Sequence, residues 1–185
     1  MFTVFLQPEP SAPGESTNRA TGMGYHDFIQ RFDDICQEHV EQRRARAFAF
    51  IFYDPDVGNV RNALKSERGF DILNTASGTD LTLFYLHHEA DSPYISSFNE
   101  HFFSALKIPD DQISPPCLIL FRVNDDEIED LMFHSIDAET VEPHLIVEQL
   151  KRDVEDYLSE MKRQGDLSGI SWIPRALFTR ALKRL

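Results

Sequence analysis

The stretch that decides the fold is Ala47-Phe-Ala-Phe-Ile-Phe-Tyr53, which stops at Asp54-Pro55-Asp56. A short, continuous apolar run bounded by turn residues is typical of a strand that is buried on both faces. Strands of this kind lie in sheets that carry helices on both sides. The run therefore predicts the central strand of an α/β protein.

Helical and strand patterns alternate on either side of this run. Apolar residues at spacings of three and four predict helices, and short apolar runs predict three more strands. The predicted helices begin at Tyr25, Asn59, Ser97 and Thr140, and the predicted strands are Leu81–Leu86, Cys117–Val123 and Ile128–Ile136. We expect Gly69 to end the second helix and Glu100 to complete a capping box with Ser97. The order is α-β-α-β-α-β-β-α, with a parallel β-α-β unit and a closing antiparallel hairpin.

The two ends of the chain differ from its middle in composition. Residues 7–24 are rich in Pro and Gly, which predicts a flexible N-terminal lead over residues 1–24. Residues 25–163 carry the alternating patterns and form the predicted domain. Residues 164–185 are predicted to be a linker and a basic amphipathic C-terminal helix.

This order of elements, with its leading helix, resembles the thioredoxin fold. In that family a Cys-x-x-Cys motif follows the first core strand, and here Val57-Gly58-Asn59-Val60 stands in its place. The family also has a cis-proline before the third strand, and Pro116 matches it in Ser114-Pro115-Pro116-Cys117. The resemblance implies a thioredoxin-like fold. It implies no thiol–disulfide oxidoreductase activity, because neither Val57 nor Val60 carries sulfur.

The chain has two cysteines, Cys36 and Cys117, which lie too far apart to suggest a disulfide framework or a metal knuckle. Cys117 follows the predicted cis-proline and is the one candidate for catalysis. A nucleophilic thiol needs a neighbouring base or a helix N-terminus, and no His lies near Cys117 in sequence. We therefore favour a buried strand cysteine and keep a Cys117-dependent enzyme as the alternative.

One histidine cluster has metal-binding chemistry, His87-His88 with Glu89 and Asp91. Adjacent residues of an extended segment point to opposite sides, so two such histidines rarely bind one metal. No phosphate-binding glycine loop occurs in the sequence. We expect no metal and no cofactor.

The charge is strongly asymmetric. The formal net charge is −13, yet the residues from Ser168 to the end carry four basic and no acidic side chains, so the remainder carries −17. Such an acidic body argues against nucleic-acid binding, which requires clustered Lys and Arg. No apolar run approaches the about 20 residues that span a bilayer, and residues 1–6 make a poor signal peptide. These features predict a cytoplasmic protein without a transmembrane segment.

The C-terminal segment is the candidate interaction site. Apolar side chains occupy one half of its helical wheel and basic side chains the other. The candidate partner-binding residues are Trp172, Ile173, Leu177, Phe178, Leu182, Arg175, Arg180, Lys183 and Arg184. The helix can fold back on its own acidic body, dock in a partner's groove, or lie on an anionic membrane surface. So short a segment is a weak membrane anchor, and a protein is the favoured external partner.

Three functional hypotheses follow. The first is a non-catalytic thioredoxin-like interaction module, a subunit or adaptor of a protein complex that uses the tail helix as one contact. The second is an enzyme that uses Cys117 at the edge where relatives carry the redox motif. The third is an acidic inhibitor or immunity-type protein that masks a basic partner surface.

Overall fold

A computed structural model of the chain describes residues 2–5, 22–41, 46–52, 59–66, 68–87, 94–109, 111–124, 127–137, 141–164 and 173–182. The strands in these ranges are β1 (Phe2–Phe5), β2 (Gly22–Gly24), β3 (Arg46–Phe52), β4 (Leu81–His87), β5 (Cys117–Asn124), β6 (Glu127–Ser135) and β7 (Ile173–Pro174). The helices are α1 (Tyr25–Glu41), α2 (Asn59–Ser66), α3 (Gly69–Ser77), α4 (Tyr94–Ala105), α5 (Pro143–Gln164) and α6 (Arg175–Leu182).

The strands form one mixed sheet in the order β2-β1-β4-β3-β5-β6-β7. β3 pairs with β4 in parallel and with β5 in antiparallel orientation, and β5 and β6 form an antiparallel hairpin. The protein is therefore an α/β protein, as the alternating patterns predict. Residues 47–52 of β3 have no exposed surface, which confirms a central strand buried on both faces.

The two faces of the sheet carry different side chains. Phe48, Phe50 and Phe52 point to the face that α1, α4 and α6 cover, and every buried phenylalanine of the described residues lies in this phenylalanine layer. Ala47, Ala49 and Ile51 point to the opposite face, which packs against α2, α3 and α5. This second, aliphatic layer contains mainly Leu, Ile, Val and Ala among its buried residues.

Stacked rings connect three neighbouring strands within the phenylalanine layer. The ring of Phe50 lies 5.1 Å from that of Phe84 on β4 and 5.4 Å from that of Phe121 on β5, with interplanar angles of 17° and 15°. Aromatic pairs at such distances add to the free energy gained from burying apolar area. The three central strands are therefore joined by side chains as well as by backbone hydrogen bonds.

The N-terminal segment departs from the prediction. β1 pairs in parallel with β4, placing Thr3 opposite Tyr85, and β2 pairs in parallel with β1. The prediction of a flexible lead over residues 1–24 is therefore wrong for Phe2–Phe5 and Gly22–Gly24. The backbone of β1 covers what would otherwise be the open edge of β4, and paired edges are favoured because unpaired backbone groups attract other chains.

Gly69 also has a different role from the predicted one, because it begins α3 instead of ending the preceding helix. A Cβ atom at Gly69 would lie 2.8 Å from Cα of Leu64 and 3.0 Å from Cγ2 of Val147. Glycine thus permits close packing of α3 against α2 and α5. α4 likewise begins at Tyr94, so Ser97 lies inside the helix and the predicted capping box is wrong. Thr140 lies outside the described residues.

Candidate interaction surface

The end of β3 and the start of β5, where the resemblance predicts the former redox motif and the cis-proline, lie side by side in the sheet. Phe52 at the end of β3 pairs with Cys117 at the start of β5, so Pro116 lies beside the point where the chain leaves β3. The Pro115–Pro116 peptide bond is cis, which confirms the prediction for Pro116. α2 begins at Asn59, and Val60 in its first turn is fully buried. Val57 lies outside the described residues.

Cys117 is not placed for nucleophilic chemistry. Its side chain is fully buried in the phenylalanine layer, and neither Cys117 nor Cys36 forms a disulfide bond. Burial raises the pKa of the Cys117 thiol far above its usual value, because the thiolate would lose its hydration. The buried thiol is thus held in its unreactive, neutral form. The geometry gives no support to the Cys117-dependent enzyme.

The C-terminal tail folds back on its own body. β7 pairs with β6, placing Ile173 opposite Ile128, and α6 then crosses the phenylalanine layer. Phe178 is fully buried there. Its ring centroid lies 5.6 Å from that of Phe32 on α1, 5.2 Å from that of Phe102 on α4 and 5.7 Å from that of Phe121 on β5. Of the alternatives for the tail, the structure shows the contact within the chain.

The carboxylate of Asp33 on α1 binds two side chains of α6. Oδ1 of Asp33 accepts hydrogen bonds from Nη1 of Arg175 at 3.1 Å and from Oγ1 of Thr179 at 3.2 Å. The Arg175 and Asp33 side chains are 19% and 24% exposed, so the ion pair is partly shielded from water. Positions 175 and 179 are one helical turn apart, which allows both to reach the same oxygen. Sequence analysis missed Asp33, because nothing distinguishes it from its acidic neighbour Asp34.

The candidate partner-binding residues therefore lie in different environments. Phe178 and Arg175 make contacts within the chain while α6 is docked. Leu177 is 57% exposed and Arg180 is exposed. Ile173 and Leu182 are described by their backbone alone. Trp172, Lys183 and Arg184 lie outside the described residues, as does most of the His87–Asp91 cluster.

A polar groove of about 740 Å³ runs between α1 and α6. The residues that line it include Gln30, Asp33, Asp34 and Gln37 from α1, and Arg175 and Arg180 from α6. Nε2 of Gln30 donates a hydrogen bond to Oδ1 of Asp34 at 2.7 Å. α6 therefore does not fill the space beside α1. The charged side chains of both helices that line this groove face solvent.

A buried charge cluster lies near the tip of the β5–β6 hairpin, away from Cys117. Nη2 of Arg122 lies 3.0 Å from Oε2 of Glu129 and 2.9 Å from Oδ2 of Asp130. The hydroxyl of Tyr157 on α5 donates to the backbone carbonyl of Asp130 at 3.0 Å. Burial and the charge of Asp130 raise the pKa of Tyr157 well above its usual value. This cluster connects α5 to the hairpin, and we assign it a structural role.

Other kinds of site find no counterpart in the part of the chain that the structure describes. Within the described ranges, no group of three or more His, Cys, Asp or Glu side chains is placed to hold a metal ion. None of the helices described has both the length and the apolar character needed to cross a membrane. No family model, curated protein or solved structure matches this chain.

Proposed function

We propose that this protein is a redox-inactive, thioredoxin-like module that binds a protein partner without catalysing a reaction. Three features support the thioredoxin-like assignment. β3 and β4 form a parallel pair and β5 and β6 a closing antiparallel hairpin, α2 begins shortly after β3, and the cis-proline precedes β5. A fold alone does not define a function, so the function is inferred from the chemistry of the site.

The observation that carries the proposal is the chemistry of the edge beside Pro116. The positions that resemble the redox motif are Val57 and Val60. The cysteine nearest the proline in sequence, Cys117, is buried and has a raised pKa. Attack on a disulfide requires an accessible thiolate. A protein of this fold that lacks the attacking thiolate can still use its surface to bind another protein. We therefore propose binding as its function.

An insulin-reduction assay with dithiothreitol tests the non-catalytic part of the proposal. We expect the protein to add nothing to the rate with dithiothreitol alone. An acceleration that Cys117→Ser abolishes would establish the Cys117-dependent enzyme instead. An acceleration that survives both Cys117→Ser and Cys36→Ser would place the chemistry at another residue. Either acceleration would overturn the proposed function.

Purification of the tagged full-length chain from its native source tests the binding part. We expect one protein to co-purify in near-stoichiometric amount and to remain bound in 1 M salt, where the Debye length falls to about 3 Å. Loss of this protein at high salt would favour the acidic-inhibitor alternative, in which charge dominates the contact. A monomeric mass in native extracts, with no stoichiometric partner, would contradict both.

A further inference from the structure

The surface beneath α6 has the composition of a binding site. Phe32, Phe102 and Phe121 surround the ring of Phe178, and Asp33 accepts two hydrogen bonds from α6 one turn apart. We call these four residues of the body the tail seat. An aromatic pocket next to a partly shielded carboxylate is the kind of surface that anchors an amphipathic helix.

α6 is a short helix that is only partly covered, although it reaches the core. The helix has eight residues, which is too short to be stable alone in water. Of its described side chains, Phe178 and Thr179 are buried, whereas Ala176, Leu177 and Arg180 are exposed. The open groove beside α1 adds to this incomplete cover. Elements with few buried contacts open at a lower free energy than the whole domain.

We infer that the tail seat is a binding site for a helical segment of the partner, and that α6 occupies it as a competing ligand within the chain. The inference rests on the proposed binding function and names the chemistry of the partner. The segment carries a Phe to fill the aromatic pocket and an Arg three positions before it to reach Asp33. A basic segment also suits the body, whose formal charge outside the tail is −17.

The competition has a simple physical consequence. The partner binds only molecules in which α6 has left the tail seat, so its apparent affinity is reduced by the fraction that is open. Weakening the contact between α6 and Asp33 raises that fraction. A change that loosens α6 without altering the tail seat must therefore strengthen binding in trans.

The test uses a fluorescein-labelled peptide of residues 173–185 and the full-length chain, with binding measured by fluorescence anisotropy. Arg175→Glu in the protein places two carboxylates together and loosens α6. Arg180→Glu makes the same change of charge on the exposed side of the same helix and is the matched control. We expect Arg175→Glu to bind the peptide about tenfold more tightly than the wild type, and Arg180→Glu to show no such gain.

Three further variants complete the test. Thr179→Ala removes the second partner of Asp33 without adding charge, and we expect a smaller gain in affinity. Asp33→Lys in the Arg175→Glu protein restores an ion pair within the chain and should abolish the gain. A peptide with Phe178→Ala should not bind. Circular dichroism verifies that each protein variant is folded.

Equal peptide affinities for folded Arg175→Glu and Arg180→Glu would overturn the inference, as would binding of the Phe178→Ala peptide. If either result is obtained and a stoichiometric native partner is nevertheless found, the inference about the tail seat is refuted and the proposed function stands. Catalytic turnover, by contrast, would refute the proposed function itself.

Discussion

Asp33 and Arg175 are 142 positions apart in the sequence, yet Oδ1 of the first lies 3.1 Å from Nη1 of the second. This contact joins the first helix of the domain to the last one. Asp33 lies next to Phe32, whose ring contacts Phe178. Two adjacent residues of α1 thus supply α6 with a polar and an aromatic contact.

Replacing Asp33 by Asn should loosen α6, whereas Asp34→Asn should not. The first substitution removes the charge that Arg175 faces, and a partly shielded pair of this kind contributes about 1 kcal/mol. Amide hydrogen exchange of residues 179–182 should become about fivefold faster in Asp33→Asn. The difference should shrink in 1 M salt. Equal exchange in the two variants would mean that the contact does not stabilise α6.

Leu177 and Phe178 are neighbours on α6 and should respond very differently to the same substitution. Leu177 is 57% exposed, so Leu177→Asp should change the free energy of unfolding by no more than about 0.5 kcal/mol. Phe178→Asp removes a buried ring and inserts a charge, and should cost at least about 3–5 kcal/mol. Urea unfolding measures both. Similar losses would show that the tail does not pack as described.

Gly69→Ala should destabilise the domain by about 1–3 kcal/mol, because the added methyl group overlaps backbone atoms of α2. Cα of Leu64 belongs to the backbone and cannot move aside like a flexible side chain. Thr75→Ala, on the exposed side of the same helix, is the control and should change stability by less than about 0.5 kcal/mol. Thermal unfolding of the two variants provides the comparison. A neutral Gly69→Ala would refute the close packing of α3.

The stability of the domain should fall at alkaline pH. Cys117 and Tyr157 have raised pKa values in the folded state, so the folded protein keeps protons that the unfolded chain releases. The free energy of unfolding therefore decreases as pH rises above the usual pKa of each group, about 8.5 for the Cys117 thiol and about 10 for the Tyr157 hydroxyl, by at most about 1.36 kcal/mol per pH unit for each group.

Urea unfolding between pH 7 and about pH 11 measures this decrease, because Tyr157 contributes only above about pH 10. Cys117→Val and Tyr157→Phe each remove one ionisable group and should flatten the pH dependence, with both changes together giving the flattest curve. If neither substitution alters the slope, the alkaline loss of stability comes from other groups.

The central strands could be predicted because their patterns are local. The run Ala47–Tyr53 is apolar and sharply bounded, and β3 differs from it by one residue at each end. The hairpin of β5 and β6 and the parallel pairing of β3 with β4 are also as predicted. Short apolar runs that are rich in aromatic residues and bounded by turn residues are typical of buried strands.

The contacts of the tail could not be predicted, because they depend on distant residues. Leu177 and Phe178 are both apolar and lie on the same half of a helical wheel, and only the tail seat determines which of them is buried. The pairing of β1 with β4 is equally non-local, since four residues near the N-terminus carry no pattern that identifies their partner. Pairing between segments far apart in sequence is decided by tertiary structure, which a single sequence does not display.

The alternation of Ala and Phe along β3 also restricts how the protein can misfold. A slip of β3 by one residue would send the rings of Phe48, Phe50 and Phe52 into the layer that now holds Ala47, Ala49 and Ile51. That layer has no room for three rings, and the opposite layer would be left with voids. Registers of β3 that are shifted by one residue are thus unfavourable in both layers at once. The native register is therefore separated in energy from the shifted ones.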